Sequence, residues 1–217
     1  MIENKKKEML LSVRNYLLKF GKVDDNILKA ISKIDRKIFM PEDKIEYAYL
    51  DEAIGIEKGQ TISQPSTVAR MLSLLELKKD DVVLEIGTGS GWNASLIAEI
   101  VKPCKVLSFD IHEELVRKAE KRIKNSGFKL KNLQIKLGNF RKLSKKERFD
   151  KIIFTAGILE EQEEKIIKYA VEHLNNGGIL ICPKQSGSLM IIKKDKAGKI
   201  TKAFSVEEYV FVPLLLD

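Results

Sequence analysis

Val82-Val83-Leu84-Glu85-Ile86-Gly87-Thr88-Gly89-Ser90-Gly91 is the stretch that decides the fold. Its first five residues form a short apolar run rich in β-branched side chains, which suits a strand covered on both faces. Three alternating glycines follow, and Trp92 to Val101 then reads as a helix. In open α/β sheets, ligands bind beyond the carboxyl ends of the strands, where a strand turns into the next helix. Glycines there let the backbone approach a ligand closely and adopt positive φ. The spacing is GxGxG, whereas the dinucleotide pattern GxGxxG seats a pyrophosphate at a helix N-terminus. Glu85, two positions before the first glycine, sharpens that contrast. A carboxylate there repels a pyrophosphate but suits a ligand bearing an ammonium and a sulfonium.

Strands and helices alternate outward from this point. Lys105–Phe109 reads as a second strand and Glu113–Asn125 as a second helix. Leu133–Leu137 and Lys151–Phe154 follow as strands, then Glu160–Leu174 as a helix and Ile179–Cys182 as a fifth strand. Such alternation implies a parallel sheet covered on both faces. Ser188–Lys193 and Ile200–Phe204, joined by Lys196-Ala197-Gly198-Lys199, predict an antiparallel hairpin, and Tyr209–Leu216 a final strand. Upstream, Asp24 or Asp25 caps a helix carrying Ile27, Ile31 and Ile34, which Pro41 closes, and residues 66–77 read as another helix. The expected fold is α/β: a Rossmann-like, doubly wound, mostly parallel sheet with an N-terminal helical lobe (1–77) and an antiparallel C-terminal hairpin and strand. Residues 78–217 form its ligand-binding core, all within a single domain.

The glycine loop resembles the first motif of class I S-adenosylmethionine methyltransferases. That resemblance makes Glu85, Gly87, Thr88, Gly89 and Gly91 cofactor-binding. Asp110 stands at the end of the second strand, where a carboxylate accepts both ribose hydroxyls; with it goes Ile111. An N-cap for the helix near His112 is an alternative use of Asp110, and one aspartate can do both. Gly138-Asn139 falls where this superfamily places an adenine-contacting loop. Asn139 is placed either to bond the exocyclic amine or to serve as a plain turn residue.

Composition narrows the class. Hydrophobic residues make up 44% of the 217-residue chain, enough for a sizeable core. Cys104 and Cys182 are far apart and form no CxxC pair, which points to a reducing compartment and to no metal site. Lys5-Lys6-Lys7 and the stretch after it read as an amphipathic helix, not an export signal. No apolar run approaches the ~20 residues of a membrane span. The expected protein is a cytoplasmic monomer. The net charge of +8 raises the question of nucleic acid, but the basic residues read as spread along the chain, often one helical turn from a glutamate, as in Glu113–Arg117 and Glu164–Lys168. The amine-methylation signature (Asn/Asp-Pro-Pro-aromatic after the fourth strand) is replaced by Thr155-Ala156-Gly157. Nucleic acid is therefore an unlikely partner.

A second, more specific resemblance covers nearly the whole chain. Gly59-Gln60-Thr61-Ile62-Ser63-Gln64-Pro65 with Val68-Ala69-Arg70-Met71 is similar to the segment before the cofactor domain in protein-L-isoaspartate O-methyltransferases. Ala30–Pro41, Glu85–Gly91, Thr155-Ala156, Gly177-Gly178 and Phe211-Val212-Pro213-Leu214 extend the match. The resemblance implies methylation of the free carboxylate of isoaspartyl residues in damaged proteins and peptides, with S-adenosylmethionine as donor. Matching positions make Ser63 the active-site residue and place Gln60, Thr61 and Ile62 beside the cofactor. Ser66, Asn139 and Asp110 differ from the histidine, acidic residue and glutamate usual there. His112 reads as a rim residue and His173 as a surface residue at a helix C-terminus.

Overall fold

The computed structural model describes residues 2–21 and 23–216. The chain opens with α1 (Ile2–Leu18) and α2 (Asp25–Lys33). Asp24 is the N-cap of α2, its carboxylate accepting from the Asn26 N–H at 2.8 Å. The helix stops at Lys33 rather than reaching Pro41. A separate 3₁₀ turn, Arg36–Phe39, follows, capped by Asp35 through the Lys37 N–H. A two-stranded hairpin, β1 (Ile54–Gly55) and β2 (Thr61–Ile62), leads into α3 (Pro65–Leu75). Pro65 at the first turn of α3 has its φ preset and lacks an N–H that the helix would leave unpaired anyway.

The main sheet has seven strands: β3 (Val83–Ile86), β4 (Val106–Asp110), β5 (Leu133–Leu137), β6 (Phe149–Phe154), β7 (Leu174–Pro183), β8 (Ser186–Lys194) and β9 (Ile200–Val210). Their spatial order is β5-β4-β3-β6-β7-β8-β9. Pairs from β5 through β7 are parallel, and β8 and β9 add on antiparallel. Helices α4 (Trp92–Val101), α5 (Glu113–Asn125) and α6 (Glu160–Glu172) make the crossovers. Every residue of β3 and β4 is buried, which is why these strands are mostly apolar, with Glu85, Ser108 and Asp110 as buried polar exceptions. The chain lays β4 and β5 on one side of β3 and then crosses to lay β6 on the other. The sheet thus reverses direction between β3 and β6, the kind of switch point at which such sheets bind ligands. One core packs α1–α4 against one face of the sheet, and a second packs α6 and the loop around Phe140 against the other.

The C-terminal region differs from expectation. No separate strand forms over 209–216; Ile200–Val210 is one long strand whose pairing slips between Ser188 and Met190. At the slip the Leu189 N–H donates to Ser205 Oγ (2.9 Å), which itself donates to the Glu207 carbonyl (2.8 Å). Beyond Val210 the chain leaves the sheet, because Pro213 has no N–H to continue a ladder. It crosses the end of β6 instead, held by Gly157 N–H to Val212 O and Leu214 N–H to Gly157 O, both 2.8 Å. The expected helix over 160–174 ends at Glu172, and Leu174–Gly178 already belongs to β7. Neither Glu113–Arg117 nor Glu164–Lys168 forms an ion pair; the i,i+4 pairs among the described residues are Glu3–Lys7 and Glu114–Lys118.

Candidate active site

The glycine loop leaves the carboxyl end of β3 and bends over β4. The N–H groups of Gly87 and Thr88 both donate to the Phe109 carbonyl, at 2.8 and 3.1 Å. Gly87 has φ 101°, and a Cβ there would lie 2.2 Å from Thr155 Oγ1, so conformation and space both require glycine. Gly91 (φ 88°) lets α4 begin against α5, where a Cβ would meet that of Ala119 at 2.9 Å. Asp110 fastens the loop from β4. Its Oδ2 accepts from the Gly89 N–H (2.8 Å) and its Oδ1 from the His112 N–H (2.9 Å) at the start of α5. Loop anchor and turn cap are thus combined in one side chain.

Two adjoining cavities open at this edge, of about 430 and 610 Å³. The first is bounded by Asp110, Ile111, Gly138, Asn139, Phe140 and Leu214, among others. The second is bounded by Gln60–Ser63, the glycine loop, Asn93, Thr155 and Val212. Gln60, Gly87, Asp110 and Ala156 line both, so the two form one cleft with Asp110 at the junction. Of the residues singled out in the sequence, Gln60, Thr61, Ile62, Ser63, Gly87, Thr88, Gly89, Asp110, Ile111, Gly138 and Asn139 line this cleft.

Two of them do not. Gly91 lies behind the loop, against α5. Glu85 is fully buried beneath it, where Ser108 Oγ donates to its Oε2 (2.5 Å) and Asn93 Nδ2 to its Oε1 (2.8 Å). Burial pushes the Glu85 carboxyl up to about 8 against the pull of those two donors, and the nearby charge of Asp110 adds to the rise. The expectation that Glu85 meets the cofactor directly is therefore corrected: it lies under the loop, bonded to Ser108 and Asn93, and does not line the cleft. Asn139 takes the turn role. Its Oδ1 accepts from the Arg141 N–H (2.9 Å) and its Nδ2 donates to the Leu216 carbonyl. His173 is not on the surface; it is buried, its Nδ1 2.9 Å from the Glu147 carbonyl.

Ser63 sits on the second cavity's wall, and its hydroxyl has no partner among the described residues. It does not cap α3, whose N-cap is Gln64, and the Gln64 side chain makes no capping bond to the helix N–H groups. Asp51 serves that end instead, accepting from the Ser66 N–H (2.8 Å) and Oγ (2.5 Å). Ser66 is 1% exposed and does not line the cleft. Sequence reasoning missed Asp51 and, more consequentially, Arg36. The Arg36 guanidinium is fully buried and donates to the carbonyls of Ala48 (2.9 Å), Leu50 (3.1 Å), Glu52 (2.8 Å), Ile62 (3.4 Å) and Ser63 (3.2 Å). It lies 5.5 Å from the Trp92 ring, whose Nε1 donates to Ile34 O at 3.0 Å. Desolvation lowers its pKa to about 10, which leaves it charged at neutral pH. One cation thus gathers the loop that carries Ser63.

Among the described residues, no three His, Cys, Asp or Glu side chains converge as a metal set, and no helix is long and apolar enough to cross a membrane. Residues 4–216 match the family described as Protein-L-isoaspartate(D-aspartate) O-methyltransferase (PCMT). The chain belongs to this family. A protein-L-isoaspartate O-methyltransferase of Petrotoga mobilis is 36% identical over 215 residues, spanning 96% of this chain and 96% of its own. One from Flavobacterium psychrophilum is 40% identical over 200 residues, 91% of this chain and 89% of that one. A Plasmodium falciparum structure described as the same kind of enzyme, in complex with S-adenosyl-L-homocysteine, matches this methyltransferase with a TM-score of 0.79. It covers 98% of this chain and 99% of that one at 24% identity, a likeness of fold.

Proposed function

We propose that this methyltransferase carries out the reaction its family is named for, transferring the methyl group of S-adenosylmethionine to the free carboxylate of L-isoaspartyl residues, with Ser63 orienting that carboxylate. The observation that carries the reading is the cleft itself: the unpartnered Ser63 hydroxyl and the Gly87–Ser90 loop line one cavity. The residues fit the cofactor's two halves. The first cavity offers apolar walls from Ile111, Phe140 and Leu214 for a flat base, and the Asp110 carboxylate at the junction suits a ribose diol. The second offers the polar surroundings an amino-acid moiety needs.

When bound, S-adenosylmethionine supplies a methyl group on a sulfonium, so that transfer yields a methyl ester and the neutral thioether without moving a proton. A carboxylate of ordinary pKa, about 4, is ionised at neutral pH and needs no general base. The cleft agrees with that economy, since Asp110 and His112 are the only titratable side chains lining it among the described residues. The protein's task is alignment, with reacting atoms about 3–3.5 Å apart. The Ser63 hydroxyl donates to the carboxylate, and Arg36 fixes Ser63 through its carbonyl. Isoaspartate adds a methylene to the backbone and carries its carboxylate on Cα, so a site that grips the peptide main chain presents only that carboxylate. A displacement of about 1 Å costs on the order of a hundredfold in rate. The test is a matched peptide pair at saturating cofactor: the L-isoaspartyl peptide is labelled and the L-aspartyl peptide is not. Equal labelling, or labelling of RNA alone, overturns the assignment. The same reading carries a monomeric state and a cytoplasmic location, which sedimentation and fractionation check.

A further inference from the structure

We infer that Asn93, oriented by Glu85, is the acceptor for the α-ammonium group of the bound cofactor. Asn93 stands in the first turn of α4 and lines the second cavity beside Thr88 and Ser90. Its Nδ2 donates to Glu85 Oε1 at 2.8 Å, which turns Oδ1 away from that carboxyl. The other carboxylate oxygen is held by Ser108, whose Oγ also lies 2.6 Å from Thr88 Oγ1, so Glu85 is itself immobilised. This arrangement leaves Asn93 Oδ1 as a buried acceptor with no donor. Buried polar atoms are nearly always paired, and one left over in a ligand cavity marks a bond that the ligand completes.

The chemistry of the missing donor follows from the surroundings. Asp110 and the Asn93 carbonyl make this part of the cleft electronegative, which favours a cation. An ammonium offers three donors and no acceptor. The cofactor's ribose hydroxyls are claimed by Asp110 at the junction of the two cavities, and its carboxylate would be repelled here. The acidic residue before the first glycine thus acts at one remove: Glu85 is a positioning residue for Asn93. The inference rests on the cofactor reading given above.

Calorimetry with two ligands tests it: S-adenosyl-L-homocysteine, and the desamino compound in which hydrogen replaces its amino group. Wild-type protein should favour the first by roughly tenfold or more, as expected for a hydrogen bond to a charged group. Asn93→Leu should lose most of that preference while binding the desamino compound within about threefold of wild type. Asn93→Ala, a smaller perturbation, should do the same and replaces Asn93→Leu if the latter does not fold. An unchanged preference in the variants, or equal weakening of both ligands, overturns the inference, as does a wild type that binds both alike. Only a wild type that binds neither ligand removes the cofactor reading as well.

Discussion

Replacing Arg36 by methionine keeps a straight apolar chain of similar length and removes the guanidinium alone. Five carbonyls then lose their donor, two of them, Ala48 and Ile62, in fully buried bonds. The bonds to Leu50, Glu52 and Ser63 are only partly buried, so water replaces part of what is lost. Each buried acceptor left unpaired costs about 1–3 kcal/mol. Against this stands the relief of desolvation: burial disfavours the Arg36 cation, and its Nε already lacks a partner. The balance is a loss of about 3–4 kcal/mol, at the severe end for single substitutions. For a chain of this size that lowers Tm by roughly 6–16 °C. Arg36→Lys, which keeps the charge but not the planar fork, should lose about half as much. Urea denaturation gives the stability change, and methyl transfer measured well below the melting range gives the effect on the loop. Activity per folded molecule should fall in both variants, because the Ser63 carbonyl is no longer held. An Arg36→Met protein within about 1 kcal/mol of wild type would refute the reasoning, showing that the loop carries its own geometry.

Asp110→Ala should weaken S-adenosylhomocysteine binding by about 1.5–3 kcal/mol, the worth of hydrogen bonds to a charged group, as read by calorimetry. It should also lower Tm, since the Gly89 and His112 N–H groups lose their acceptor. Ser63→Ala should reduce turnover with stability changed by less than about 0.5 kcal/mol, because no protein hydrogen bond is lost; a lower Tm with unchanged turnover per folded molecule would argue for a structural serine. For Glu85, burial raises the folded-state pKa to about 8, so between its ordinary value of 4.5 and that point the folded chain holds a proton that the unfolded chain has released. Unfolded chains then bind fewer protons, and stability falls as pH rises through this window by up to about 1.4 kcal/mol per unit. Melts of ligand-free protein from pH 5 to 8 should show that decline in wild type and a flatter profile in Glu85→Gln.

The parts of this fold most legible in the sequence are those with local physical causes. The buried strands β3 and β4 declare themselves as short, mostly apolar runs, broken by Glu85, Ser108 and Asp110, and the glycine loop by its spacing, with Gly87 and Gly91 where a Cβ has no room. Asp110 is readable because it ends a strand one crossover after the loop. What escaped notice depends on distant contacts. Asp51 caps α3 from fifteen residues away, and Arg36 binds carbonyls up to twenty-seven residues on. A lone arginine after a helix carries no periodic signal, and carbonyl partners leave no trace in residue type. Glu85 was noticed for its charge but misplaced, since its chemistry is visible in the sequence and its burial is not. The charge was misjudged too: residues 129–148 contain eight Lys or Arg against the single Glu147, so the basic excess is gathered near β5 rather than spread evenly.

Why a methyltransferase on this sheet needs the lobe at all follows from the direction of attack. A nucleophilic oxygen must approach the methyl group from the side opposite the sulfur, in line with the bond that breaks. In the proposed mode of binding, the carboxyl ends of β3 and β4 hold the cofactor from one side only. The opposing wall has to come from chain outside those strands, and two segments supply it: Thr61–Ser63 before α3, and Val212 beyond β9. Neither belongs to the main sheet: Thr61 and Ile62 pair with the two-residue strand β1, and Val212 lies past the end of β9. The first is gathered by Arg36 through main-chain carbonyls, and the second is stitched to Gly157 through main-chain bonds. Side chains on this wall are thereby left free of structural duty, as is the Ser63 hydroxyl, which has no partner among the described residues. For a reaction that needs alignment and no proton transfer, rigidity of that wall is the protein's chief contribution to rate, and most of it resides in residues that touch neither reactant.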